Sequence, residues 1–70
     1  MRTIEQKVVS YLEAGYTSAE LIALAADHDV ASADASSAYA EDFWSEEAEA
    51  ARQAAALLDV GRAAEFLAEL

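Results

Sequence analysis

Apolar residues recur at helical spacing along most of this chain, and nowhere do they alternate with polar ones over the length of a strand. Ile4, Val8, Tyr11 and Leu12 follow the repeat of one helix face. Thr3 ahead of them suits an N-cap and Gly15 behind them a C′ position, which predicts a first helix over residues 3–14. The sharpest local signal is Tyr16-Thr17-Ser18-Ala19-Glu20. Thr17 and Glu20 have the spacing of a capping box, and Tyr16 and Leu21 that of a hydrophobic staple. A second helix then runs to Asp27 or His28, burying Leu21, Leu24 and Ala25 with Ile22 alongside.

The polar stretch His28-Asp29-Val30-Ala31-Ser32 reads as a break, with Ser32 or Asp34 capping the next helix. From there to Leu58 the pattern is helical again. Tyr39, Phe43, Ala50, Ala54, Leu57 and Leu58 share a broad face, and Glu47 falls inside it. A charge in that place favours a break or kink at Ser45, which would cap a new helix with Glu46 and Glu47 in its first turn. The other reading is a continuous helix with Glu47 pointing at a partner. Asp59 is placed to cap a last short helix over residues 60–70, with Val60, Ala63, Ala64, Leu67 and Leu70 inward and Gly61 weakening the first turn. The expectation is one all-α domain over residues 1–70: a small bundle of three to four helices, helix-turn-helix-like in its N-terminal half, without a sheet.

Composition supports the helices and limits the core. There is no Pro, only two Gly, and Ala, Glu and Leu dominate. The apolar fraction is 56%, but nineteen of those residues are Ala, which leaves a thin core for a chain of 70 residues. With no Cys, neither disulfides nor thiolate zinc sites can staple it. No apolar run reaches the length of a membrane span, and residues 1–15 lack a signal-peptide core. A soluble cytoplasmic protein without membrane contact is expected.

Charge changes the picture most. Residues 8–51 hold ten Asp and Glu and no Lys or Arg, so the whole net charge of −10 sits there; residues 1–7 carry +1 and residues 52–70 carry −1. This excludes direct nucleic-acid binding. The would-be recognition helix of a helix-turn-helix over residues 20–39 contains no cation and one Asp, and a polyanion would repel the block. Catalysis is not expected either. The single His28 stands between Asp27 and Asp29, whose side chains diverge on a helix. Asp27-x-Asp29 lacks the remaining ligands of a calcium loop, and no nucleophile, phosphate-loop or zinc motif is present. No cofactor and no metal are implied.

What remains is binding. On one continuous helix Asp34, Glu41, Asp42, Glu46 and Glu49 would fall on one side, with Asp42, Glu46 and Glu49 stacked at i, i+4 and i+7. From Asp34 to Glu49 such a row spans about 22 Å, a carboxylate every 4–5 Å or so, against one phosphate about every 3.4 Å along a DNA strand. The leading expectation is a non-enzymatic inhibitor or modulator that presents a nucleic-acid-like negative face to a basic nucleic-acid-binding protein. Its contact residues would be Asp27, Asp29, Asp34, Glu41, Asp42, Glu46, Glu47 and Glu49, with Trp44 or Tyr39 as an aromatic anchor. Small acidic inhibitors carried by phages, anti-CRISPR proteins among them, are analogous in charge and size; a phage-encoded chain of this kind would act in the host cytoplasm. The rival expectation is a helical homodimer or adaptor subunit assembled through the Ala-rich stretch 48–58, with the acids serving only solubility. A degenerate helix-turn-helix regulator is a remote third.

Overall fold

The computed structural model describes residues 3–69, which form four α-helices and no strand: α1 (Ile4–Glu13), α2 (Ser18–Ala33), α3 (Ala38–Asp59) and α4 (Ala63–Ala68). The all-α class read from the periodicity stands. The ends of α1 and the start of α2 follow local chemistry. Thr3 Oγ1 accepts from the Gln6 N–H, and Gln6 Oε1 reaches back to the Thr3 N–H. Thr17 and Glu20 make the same reciprocal pair, at 3.2 and 2.9 Å. Gly15 takes a positive φ of 82° just past α1, where its N–H bonds the Leu12 carbonyl. Leu21 is fully buried; the Tyr16 ring lies 6.3 Å from that of Tyr11.

Three expected boundaries move. There is no break at residues 28–32, because α2 runs on to Ala33. The polar stretch is helical with Asp27 and Asp29 outward and His28 turned toward Tyr11 of α1 and Trp44 of α3. The side chain that reads as marking a turn has partners that only packing supplies. The helix-turn-helix spacing over residues 20–39 is therefore not formed. Asp34 closes α2 as its C-cap, and Ser37, not Ser32 or Asp34, caps α3 by accepting from the Ala40 N–H. Ser32 instead donates to the Glu41 carbonyl at 2.9 Å, tying the last turn of α2 to the first of α3.

The second correction concerns Ser45: α3 is one uninterrupted helix of 22 residues, and Ser45 is exposed within it. The third concerns the last helix. Asp59 ends α3 instead of capping α4, and Gly61, with φ of 70°, is the C′ residue of a Schellman turn. Its N–H bonds the Leu58 carbonyl and the Arg62 N–H bonds that of Leu57. Val60, Ala64 and Leu67, expected inward, are exposed, and Leu70 lies outside the described residues.

α3 is the central element: it packs most extensively against α2, less against α1 and least against α4. Ala48, Ala50, Ala51, Ala54 and Ala55 of α3 are buried together with Ala25 of α2. Their methyl groups let the neighbouring backbones come close. Leu21 and Val8 are the largest fully buried side chains. Burial of each contributes about 1.5–3 kcal/mol, so the thin core expected from composition is what forms. Phe43, expected inside, is 39% exposed and Tyr39 is 72% exposed, because both precede the part of α3 that the alanine core covers.

Candidate functional site

Each acidic side chain of the block meets one of three environments. The first is internal pairing by cations from outside the block. Lys7 of α1 lies 3.4 Å from Glu46 and 3.5 Å from Glu47, and Arg52 of α3 pairs with Asp29 of α2. Three of the ten acids are compensated in this way. Glu20 belongs to a second kind. Its carboxylate serves the cap, and hydrogen bonds from Thr17, the backbone N–H first and the hydroxyl second, hold its pKa below the usual 4.5.

Glu47 is the centre of a polar network that binds three helices. The Tyr11 hydroxyl donates to Glu47 Oε2 at 2.7 Å and also lies 3.0 Å from His28 Nε2. A phenol has one proton; with that proton given to the carboxylate, His28 is the donor and carries hydrogen on Nε2. The imidazole then stacks on Trp44, with centroids 5.2 Å apart and planes 27° from parallel. The Phe43 and Trp44 rings are nearly perpendicular with centroids 5.1 Å apart, and the Lys7 ammonium sits 4.8 Å over the Phe43 ring. No buried side-chain nitrogen or oxygen among the described residues lacks a partner.

Sequence reasoning places Glu47 on the apolar face of its helix but gives it an external partner. Its partners are internal. The signal that identifies them is symmetrical: Lys7, three residues after Ile4 and four before Tyr11, also lies on the apolar face of its own helix. Opposite charges on the inward faces of two packed helices form a pair. Trp44 is half-buried in this network. His28 does meet a carboxylate system, through Tyr11 and Glu47 rather than Asp27 or Asp29.

The third environment is solvent. Glu13, Asp27, Asp34, Glu41, Asp42 and Glu49 are exposed, and among the described residues none of them has a cation within ion-pair distance. Asp42, Glu46 and Glu49 line one shallow hollow of about 390 Å³ with Ile4, Ser45 and Arg52, so the i, i+4, i+7 stripe forms on the unbroken helix. The longer row does not form. Asp34 ends α2 and is separated from α3 by the turn at residues 35–37, so the helical row runs from Glu41 to Glu49, about 12 Å. Tyr39 stands on the solvent side of the same helix, as an anchor requires. Among the described residues no group of His, Asp and Glu is arranged to hold a metal ion, and no helix is long and apolar enough to cross a membrane. No protein-family model, curated protein or solved structure matches this chain.

Proposed function

We propose that this chain is a non-catalytic binding module that docks the carboxylate stripe of α3 on the basic groove of a nucleic-acid-binding protein, such as a nuclease, a defence complex or a transcription factor, and so inhibits or modulates it. The observation that carries the reading is that Asp42 and Glu49, without an ion-pair partner among the described residues, line one hollow of an uninterrupted helix together with Arg52 and the Lys7-paired Glu46. Carboxylates placed together in water repel one another and cost stability unless a cation arrives. A basic groove supplies that cation and releases the counterions of both surfaces.

The rival assembly reading loses its main surface and keeps a smaller one. Ala48, Ala50, Ala51, Ala54 and Ala55 are already covered within one copy. An apolar hollow lined by Ala56, Leu57, Val60 and Phe66 remains for a second copy. Sedimentation separates the two readings, because an apolar dimer persists at high salt.

The test of the acidic face is the double reversal of Asp42 and Glu49 to Lys, which moves the net charge from −10 to −6. Wild-type protein immobilised in a cell lysate should retain basic proteins at low salt and release them at about 0.5 M salt or on addition of excess duplex DNA. The double variant should retain none. Binding that survives reversal, salt or DNA competition would overturn the proposal.

A further inference from the structure

The block already holds two cations, Lys7 and Arg52, and how it holds Lys7 describes a further seat. Lys7 rests on α3 between an aromatic ring and a carboxylate three residues further on: its ammonium is 4.8 Å over Phe43 and 3.4 Å from Glu46. Tyr39 and Asp42 are the same pair moved back by four residues, little more than one helical turn. Because α3 is unbroken, positions 39 and 42 repeat the backbone spacing of positions 43 and 46 and leave the helix in neighbouring directions. Their surroundings differ. Phe43 is partly covered and Lys7 occupies its face, whereas Tyr39 is 72% exposed and no Lys or Arg among the described residues pairs with Asp42.

We infer that Tyr39 and Asp42 form a seat for an arginine side chain of the partner, with the guanidinium flat on the Tyr39 ring and its edge toward the Asp42 carboxylate. This rests on the acidic-face reading and adds its specificity. Carboxylates alone attract lysine and arginine alike, while a ring favours the planar, weakly hydrated guanidinium. Tyr39 thus selects an arginine-bearing groove over a lysine-bearing one, and the Asp42–Glu46–Glu49 stripe supplies the general attraction.

Titration with nona-arginine and nona-lysine peptides at low salt tests this without knowledge of the partner. Wild-type protein should bind both, the arginine peptide about three- to fivefold more tightly. Tyr39→Ala should remove that preference, weakening the arginine peptide more than the lysine peptide. Tyr39→Phe should restore it, and Glu49→Gln should weaken both peptides equally. Both positions are exposed, and circular dichroism should confirm the same helical content throughout. Equal binding of the two peptides to wild type, or a preference that survives Tyr39→Ala, overturns the seat while leaving the acidic face standing. Failure of both peptides to bind overturns both.

Discussion

Glu47 and Glu49 stand two residues apart on one helix and have opposite fates. Glu47 faces α1, where Tyr11 donates to it and Lys7 lies 3.5 Å away; Glu49 faces water, with Gln53 one turn on as its only described hydrogen-bond partner. The side chain of Lys7 is only 6% exposed, so the pair it makes with Glu47 is largely withdrawn from solvent. Charge counts along a sequence therefore do not measure available charge. The Glu46–Glu47 dipeptide brings a cation into the protein, whereas Asp42 and Glu49 leave theirs to be found outside.

Removing the inward acid should erase this contrast most severely. Glu47→Ala leaves Lys7 with one half-exposed partner and removes the 2.7 Å hydrogen bond from the Tyr11 hydroxyl; the expected loss is about 2–4 kcal/mol. Urea unfolding measures it, and a loss below about 1 kcal/mol would mean that Lys7 escapes to water and the network is dispensable. Glu49→Ala should move stability by less than about 0.5 kcal/mol in the same assay.

Tyr11→Phe isolates the hydrogen bonds from the charges, since it keeps both ions and deletes only the bridge. It strands His28 Nε2 and one side of Glu47, with an expected cost of about 1–2 kcal/mol. Altered Trp44 emission should accompany it, because Tyr11 helps hold the imidazole that stacks on the indole. Unchanged emission and stability would show that the stack holds His28 unaided.

Glu20 tests the third kind of acid. Its folded pKa is depressed, so its carboxylate contributes stability above the unfolded value near 4.5, and that contribution is lost as pH falls through the folded value. Wild type should exceed Glu20→Gln in stability at neutral pH, and the gap should close on acidification below 4.5. A gap independent of pH would assign the effect to packing. The smallest change in folding is expected for the Asp42→Lys, Glu49→Lys double variant: within about 0.5 kcal/mol of wild type, or slightly more stable as repulsion falls. A large loss there would mean that the outer stripe, too, is structural.

Local features were legible in the sequence. The helix class, the Thr3 and Thr17 caps, the Gly15 stop and the shortage of large core residues could be read there, because capping, left-handed backbone and residue size act over a few positions. The Asp42–Glu46–Glu49 stripe was legible only on the less favoured reading of one continuous helix, since helical geometry aligns it only where no break falls at Ser45. Tertiary packing settled the continuity of α2 and α3 and the identity of the available acids. His28 and Glu47 looked like interruptions because their partners, Tyr11 and Lys7, lie seventeen or more residues away in the sequence, and a polar side chain on an apolar face is tolerated only where a distant element satisfies it. Asp34 fell outside the row for a related reason. Once the tertiary partners of His28 carried α2 through to Ala33, the turn had to come after it, which moved Asp34 off the helix that carries the stripe.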